Sequence, residues 1–258
     1  MKRQESTSVT KRNSPVVKRI KEIKADHPFW GYRRIWAHLK YIDGLEVNRK
    51  RIFRLMQKHK LVVKSNTRLK ALRTSGRSKP RPARPYEWWG IDMTKVMVEG
   101  FGWMYIVAVL DWYTKKIVGH YAGVECRSKH WLEALDDAVN REFTNGVNNR
   151  GLSLMSDNGS QPTSMAFMKS CREMGIKQAF TSYGNPKGNA DTERIFRTMK
   201  EELLWLREWH SPFELAEELS NWVDSYNRSY LHSSLGYKSP IKFEEEYHNH
   251  QLTLLVTA

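Results

Sequence analysis

The order of predicted strands and helices after residue 88 constrains the fold of this chain more than any other feature. β-Branched and aromatic residues predict strands at 89–97, 103–110 and 116–122, and Gly100-Phe101-Gly102 connects the first two. The pattern then alternates between helix 128–141, strand 152–156, helix 163–174, strand 177–181 and a long helix 188–207. Three consecutive strands followed by alternating helices and strands predict an α/β domain.

Three carboxylates occur where this pattern leaves side chains free. Asp92 lies within the first strand, Asp157 follows the fourth, and Glu193 lies in the long helix, with 35 residues between the last two. Hard oxygen ligands from separate segments, with no Cys or His cluster beside them, favour Mg²⁺ or Mn²⁺ over Zn²⁺. Each acid alone also has a plainer interpretation, as a strand-surface carboxylate, the first residue of an Asp-Asn-Gly turn, or a helix-surface glutamate.

The charge is divided unevenly along the chain. Residues 1–84 hold 25 Lys and Arg against 5 Asp and Glu, a net +20, whereas residues 85–258 hold 18 against 23, a net −5. A basic lobe attracts phosphate and releases counterions, so we expect the first lobe to carry much of any affinity for nucleic acid. A basic surface without a partner is the alternative.

The basic lobe has the pattern of a helix-turn-helix. Apolar spacing predicts helices at 15–25 and 31–41, and Asn48 is a good cap for a third helix. The third helix places apolar residues inward and basic residues outward, among them Arg49, Lys50, Arg51 and Arg54. A plain helical hairpin with solvated charges remains the alternative. A zinc site is excluded because no cysteine precedes Cys126.

The remaining composition sets the domain boundaries and the compartment. We predict a helix-turn-helix domain at 1–62, a basic Pro- and Ser-rich linker at 63–84, a catalytic core at 85–208 and a C-terminal helical extension at 209–258. Two cysteines, Cys126 and Cys171, are too few for a disulfide framework, and no apolar run reaches the roughly 20 residues of a membrane span. These features predict a cytoplasmic, nucleoid-associated protein without a membrane partner.

The acids and their neighbours carry a family resemblance. Trp-Gly-Ile-Asp92, Ser-Asp157-Asn-Gly-Ser-Gln and Asn189-Ala-Asp-Thr-Glu193 resemble the motifs of the orfB-type catalytic subunits of insertion-sequence transposases, in the DDE transposase and retroviral integrase superfamily. The resemblance extends from about residue 28 to about residue 245. It implies a ribonuclease H-like domain with a mixed five-stranded sheet and flanking helices, preceded by a small all-α helix-turn-helix domain. It also implies that all three acids are catalytic and bind two Mg²⁺ or Mn²⁺ ions.

The resemblance assigns further residues to DNA binding and to support of the site. Lys200 and Arg197 lie seven and four residues beyond Glu193, on one helix face. The resemblance implicates Lys200 in DNA binding, although an ion pair with Glu193 or Glu201 is the alternative. Asp191 is expected to face away and cap the helix. The DNA-binding set is completed by the basic residues of the first lobe, including Arg33 and Arg34, and the supporting residues are Asn158, Asn189 and Asp111.

Two segments flank the Glu193 helix. The connector 183–188, rich in turn formers, could become ordered on DNA, but an ordinary surface loop is the favoured interpretation in the free protein. The segment 226–240 resembles the closing motif of the family, with Tyr230-Leu231 where Arg-Pro is commoner. His232 in this motif is either a DNA contact or a packed, hydrogen-bonded histidine.

The resemblance implies an enzyme of DNA transposition and integration. It would cleave strands at transposon ends by metal-dependent hydrolysis and then transfer the freed 3′-hydroxyl to target DNA. Its expected partners are double-stranded DNA at terminal inverted repeats and at the target, further copies of itself, and a companion helix-turn-helix subunit, since the chain begins directly in the second such motif. The alternatives are a non-catalytic DNA-binding protein or decayed remnant, and a ribonuclease H-like nuclease that only hydrolyses.

Overall fold

A computed structural model of the chain describes residues 7–63, 80–181 and 188–256. The chain divides into two compact units, Met1–Ala71 and Leu72–Ala258. Most of the predicted linker 63–84, and all of the predicted connector 183–188 except Gly188, lie outside the described residues. No helix in the described ranges combines the length and the apolar character needed to cross a membrane.

Over residues 7–63 the first unit is a bundle of three helices, as predicted. They are α1 (Thr7–Asp26), α2 (Tyr32–Tyr41) and α3 (Arg49–Lys58). Asn48 caps α3, its side-chain oxygen accepting from the Lys50 amide at 2.8 Å. The core consists of side chains that are almost fully buried, chiefly Ile20, Ile35, Leu39, Ile52 and Met56.

α1 is longer than predicted because it begins at Thr7 and continues through Pro15. The prediction placed its start at the proline, which commonly occupies the first turn of a helix. Contacts with α3 stabilise the earlier turns. The Arg51 guanidinium donates to Asn13 Oδ1 at 2.7 and 3.0 Å and to the Arg12 carbonyl.

The second unit contains the predicted order of three strands followed by alternating helices and strands. Its elements are β1 (Trp88–Val98), β2 (Gly102–Asp111), β3 (Ile117–Gly123), α4 (Ser128–Glu142), β4 (Ser153–Ser156), α5 (Met165–Glu173), β5 (Lys177–Phe180), α6 (Ala190–Met199), α7 (Pro212–Ser229) and α8 (Pro240–Val256).

The five strands form one mixed sheet in the order β3-β2-β1-β4-β5. β1 and β2 pair antiparallel across the glycine connection, and β2 pairs antiparallel with β3. β4 is parallel to β1, and β5 is parallel to β4. The prediction of a mixed five-stranded sheet is therefore confirmed, and β1 lies at its centre.

Side chains alternate along β1 between two apolar cores, one on each face of the sheet. Trp89 and Ile91 belong to the core shared with α4 and α5, whereas Val98 belongs to the core shared with α6 and α7. α7 is not peripheral, because Leu215, Leu219 and other buried residues of this helix pack in the second of these cores.

The long helix predicted at 188–207 is interrupted. Regular α-helix ends at Met199, and a π-helical turn follows at Lys200–Leu204. In this wider turn the Trp205 amide bonds to the Lys200 carbonyl at 2.9 Å, and Leu203 and Leu204 remain buried. Helical periodicity in the sequence does not distinguish the two kinds of turn.

Candidate active site

Asp92 occupies the middle of the central strand. It pairs with Ala108 of β2, its side chain is half-buried, and alternation along β1 places it on the α6 side of the sheet. Its Oδ1 accepts the Met93 amide at 2.7 Å. A carboxylate at this position cannot move far, because the backbone on both sides of it is held by the sheet.

Asp157 follows the end of β4 directly. Gly90 and Met155 are the last pair of the parallel ladder, and Asp92 and Asp157 each lie two residues beyond this pair. Asp157 is exposed, and its Oδ1 accepts the Gly159 amide at 3.0 Å. Asn158 joins the turn to the end of β5 by donating to the Thr181 carbonyl at 2.7 Å. The structure therefore supports the turn-forming interpretation of Asp157, and the same turn leaves its carboxylate exposed.

Glu193 lies in the first turn of α6, which packs against β1. Its amide bonds to the carbonyl of Asn189, the residue that precedes the helix, and its side chain is exposed. Asn189 is buried and donates to the Ile91 carbonyl of β1 at 3.3 Å. The three acids thus come from the strand, turn and helix that the sequence predicted.

The electrostatics connect the three acids. Burial is the largest effect on Asp92 and raises its pKa to about 6. The negative charges of Asp157 and Glu193 raise this pKa further, whereas the Met93 amide and the Lys200 ammonium lower it. The acids and Lys200 therefore lie within electrostatic range of one another, in a region with excess negative charge that a cation would neutralise.

The acids do not form a closed coordination shell. Across residues 7–63, 80–181 and 188–256, no three His, Cys, Asp or Glu side chains are grouped closely enough to hold a metal ion. The arrangement brings Asp92, Asp157 and Glu193 into one neighbourhood without bringing their oxygens together around a common point.

Lys200 lies at the end of α6, on the face that carries Glu193. Glu201, one alternative partner of Lys200, instead accepts from Arg197 at 2.9 Å. Within the described ranges no carboxylate forms an ion pair with Lys200. The ammonium of Lys200 is thus available to a phosphate near the acids.

The prediction that Asp191 caps the helix is wrong. Asn189 occupies the cap position, and Asp191 lies two residues further on, in the first turn, and pairs with Lys115 at 2.9 Å. The cation comes from the β2–β3 turn, a contact between residues distant in sequence that helix periodicity does not reveal.

Asp111 is the organising residue of the β2–β3 turn. It is 1% exposed and accepts hydrogen bonds from the amides of Tyr86, Tyr113 and Thr114, from the Thr114 hydroxyl and from the Trp89 ring nitrogen. Burial raises the pKa of the Asp111 carboxyl above its ordinary value, and hydrogen bonds from Thr114, Tyr86 and Tyr113 offset part of that rise. The geometry assigns Asp111 to the structure of the turn.

In the closing motif, His232 is packed and hydrogen-bonded. Its Nε2 contacts the Tyr226 hydroxyl, which also donates to the Lys115 carbonyl at 3.0 Å. The backbone of His232 pairs with Lys238. Of the two interpretations of His232, the structure therefore favours the packed one.

The basic residues of the first unit differ in their surroundings. Arg33, Arg49, Lys50 and Arg54 are exposed, and Arg49 lies over the Trp36 ring at 5.8 Å. A groove of about 660 Å³ follows the start of α3 and includes Trp36, Lys40, Arg49 and Lys50 in its lining. Half-buried Arg34 lies over the Trp30 ring at 5.5 Å. Arg51 binds Asn13 within the bundle.

The sequence reasoning missed the residues that hold α6 in place. Gly90, Trp112, Lys115 and Thr192 all lie at the contact of α6 with β1 and the β2–β3 turn. A glycine inside a strand, two residues before a candidate ligand, was an available signal, since such glycines often mark a close approach of another segment.

Comparison with known proteins identifies relatives of both units. Residues 82–186 and 174–240 each match a family described as integrase core domain, and residues 11–68 match a family described as HTH-like domain. The chain is 29% identical over 213 residues to the transposase for insertion sequence element IS904 of Lactococcus lactis, covering 78% of this chain and 82% of the relative. It is 27% identical over 233 residues to the transposase for IS629 of Shigella sonnei, covering 86% and 76%.

A solved structure supports the fold. A chain in the cryo-EM structure of the simian T-cell lymphotropic virus intasome with the PP2A regulatory subunit B56 gamma superposes with a TM-score of 0.51 at 14% identity. The match covers 87% of this chain and 74% of the other. At this identity the likeness establishes the arrangement of helices and strands and nothing further.

Proposed function

We propose that Asp92, Asp157 and Glu193 are the catalytic residues of this chain. The chain is homologous to insertion-sequence transposases over most of its length and carries an HTH-like domain and an integrase core domain. It is therefore a polynucleotidyl transferase. The observation that carries the proposal is geometric. Asp92 lies on the α6 face of the central strand, Asp157 follows the end of the adjacent parallel strand β4, and Glu193 lies in the first turn of α6, which packs against β1. Burial raises the pKa of Asp92, and the charges of Asp157 and Glu193 raise it further.

The donor set fits divalent metal ions. Carboxylate oxygens without Cys or His partners are the ligands that Mg²⁺ and Mn²⁺ prefer, and the mutual repulsion at Asp92 is relieved by a cation. Asp92, Asp157 and Glu193 would together hold two such ions. When bound, such ions lower the pKa of an attacking water or 3′-hydroxyl and neutralise the leaving oxygen.

The residues of the chain supply position and charge. β1 fixes Asp92, the turn after β4 fixes Asp157, and α6 carries Glu193. Lys200 holds the phosphate whose bond is broken, and Arg197 on the same helix face contacts the neighbouring backbone. Water and then the freed DNA 3′-hydroxyl act as nucleophiles at this one site, first in strand cleavage and then in strand transfer.

The first unit delivers the DNA. Arg33, Arg34, Arg49, Lys50 and Arg54 are its phosphate and base contacts at the terminal inverted repeats, supported by their exposure or cation–aromatic contacts and by the HTH-like match. Arg51 belongs to the same predicted DNA-binding set, and its hydrogen bonds to Asn13 also give it a structural role as the link between α1 and α3. Target DNA, further copies of the chain and a companion helix-turn-helix subunit complete the assembly, which we place on the bacterial nucleoid.

Each predicted domain has one assigned role. Residues 1–62 bind and deliver DNA, residues 63–84 form a basic linker, residues 85–208 carry the catalytic site, and residues 209–258 form a supporting helical extension. The integrase core match continues to residue 240 and α7 packs against the sheet, so much of the extension is built into the catalytic unit.

A comparison of wild type with Asp157→Asn tests the proposal. Purified protein is incubated with labelled element-end DNA and Mg²⁺, with Glu173→Gln as the control because Glu173 is an exposed carboxylate on α5. We expect cleaved and strand-joined products from wild type and the control, and none from Asp157→Asn, with DNA binding retained. Hydrolysis without joining would instead indicate a nuclease. DNA binding without products, even with a companion subunit supplied, would indicate a non-catalytic protein.

A further inference from the structure

The β2–β3 turn is a rigid platform beside the Glu193 helix. The buried carboxylate of Asp111 accepts hydrogen bonds from the amides of Tyr113 and Thr114 at 2.9 and 2.8 Å. The Trp112 amide donates to the Trp88 carbonyl at 3.0 Å. These bonds fix the turn to the start of β1. The side chains that the turn presents are therefore held at defined positions.

Two side chains of this turn contact the first turn of α6. The Trp112 ring nitrogen donates to Thr192 Oγ1 at 3.2 Å, and both residues are almost fully buried. The Lys115 ammonium pairs with Asp191 at 2.9 Å, with both side chains about one-fifth exposed. Asp191 and Thr192 are the two residues immediately before Glu193, so the turn holds α6 at the start of the helix segment that carries the acid.

β1 contacts the same turn of α6 at Gly90. A Cβ added to Gly90 would lie 2.9 Å from Asn189 Oδ1 and closer still to Thr192 Oγ1 and the Trp112 ring nitrogen. The space between strand, turn and helix is thus already filled. Asn189 completes the contact by donating to the Ile91 carbonyl, next to Asp92.

We propose that Trp112 and Lys115 are positioning residues for Glu193, which set where its carboxylate lies relative to Asp92. The proposal rests on the proposed function, in which Glu193 binds metal. Residues that orient a metal ligand commonly contribute about 10–100-fold to metal affinity. Trp112 acts through Thr192 and Lys115 acts through Asp191, and both fix the direction from which Glu193 approaches the strand.

The test compares two tryptophan variants of the full chain. Trp112→Phe removes the donor to Thr192, and Trp131→Phe is the matched control, since Trp131 is also 2% exposed or less and its ring nitrogen donates to Cys126 Sγ at 3.3 Å on the other face of the sheet. Mn²⁺ affinity on element-end DNA is measured from the paramagnetic signal of the free ion, and thermal unfolding is measured in parallel.

We expect Trp112→Phe to weaken Mn²⁺ binding about 10-fold while Trp131→Phe leaves it unchanged at a similar loss of thermal stability. Lys115→Gln should also weaken binding, and Lys115→Arg should restore it. Equal Mn²⁺ affinity for both tryptophan variants would overturn the positioning role. Glu193→Gln tests the metal site independently of the positioning role, because unchanged Mn²⁺ binding in that variant would refute the metal site itself.

Discussion

Substituting alanine for Gly90 tests whether the contact between β1 and α6 controls chemistry. The new Cβ would lie 2.1 Å from Thr192 Oγ1, 2.4 Å from the Trp112 ring nitrogen and 2.9 Å from Asn189 Oδ1, whereas ordinary contacts begin at 3.4 Å. The side chains at the start of α6 must therefore move by roughly 0.5–1.3 Å, and the helix is pushed away from β1. Overpacking of this kind costs about 1–3 kcal/mol, and loss of the Trp112–Thr192 hydrogen bond adds about 1 kcal/mol. Because a 1 Å misplacement of reacting groups can cost about 100-fold in rate, we expect strand joining to slow by roughly 10- to 100-fold.

Gly119→Ala is the matched control for that variant. A Cβ at Gly119 would lie 2.6 Å from the Ala138 amide nitrogen and 2.7 Å from Ala138 Cβ, on the opposite face of the sheet against α4. It should destabilise the fold comparably without moving α6. Urea denaturation measures the free energy of unfolding, and single-turnover joining of DNA with a preformed 3′-hydroxyl measures the rate at a temperature where both variants are folded. A wild-type joining rate for Gly90→Ala, at a stability equal to that of Gly119→Ala, would refute the reasoning.

Two further predictions concern the ion pairs and the basic unit. Lys116 pairs with Glu142 and Glu244 at 2.9 and 2.8 Å. Lys116→Met should lower the free energy of unfolding by about 3–5 kcal/mol, because it leaves two largely buried carboxylates together. A loss within about 0.5 kcal/mol in urea denaturation would contradict this prediction. Arg54→Ala should reduce the slope of log affinity for DNA against log salt by about 0.9 at unchanged stability. Arg51→Ala should instead lower thermal stability, because the Asn13 contact is lost. If Arg54→Ala and wild type have the same salt slope, Arg54 is not part of the DNA interface.

The elements that the sequence predicted well are those whose signals are local. Alternation along β1 and the glycines at 100 and 102 define the first hairpin, and Gly100 and Gly102 have positive φ angles of 75° and 89° that suit this residue type. Asn48 caps α3 through a bond to a residue two positions away. The locations of the three acids within strand, turn and helix follow from the same local patterns.

The features that the sequence did not reveal depend on distant contacts. Asp191 resembles a helix cap in sequence, but its partner Lys115 lies 76 residues earlier in the chain. Trp112 and Thr192 are separated by 80 residues. The π-helical turn after Met199 depends on how Leu203 and Leu204 meet the core, because a wider turn changes the face on which each side chain lies. Periodicity within one segment contains no information about these pairings.

The parallel pairing of β1 with β4 distinguishes the two aspartates from Glu193. Gly90 and Met155 are the last partners in the ladder, and Asp92 and Asp157 each lie two residues beyond them, so both aspartates are placed by adjacent strands and not by a long loop. Insertions or deletions between β5 and α6 would leave the aspartate pair intact, and the contacts of α6 with β1 and the β2–β3 turn would still hold Glu193. A slip of β4 by one residue would instead move Asp157 to the other face of the sheet. The lineage of this protein is therefore free to vary chain length before Glu193, but not the register of its two central parallel strands.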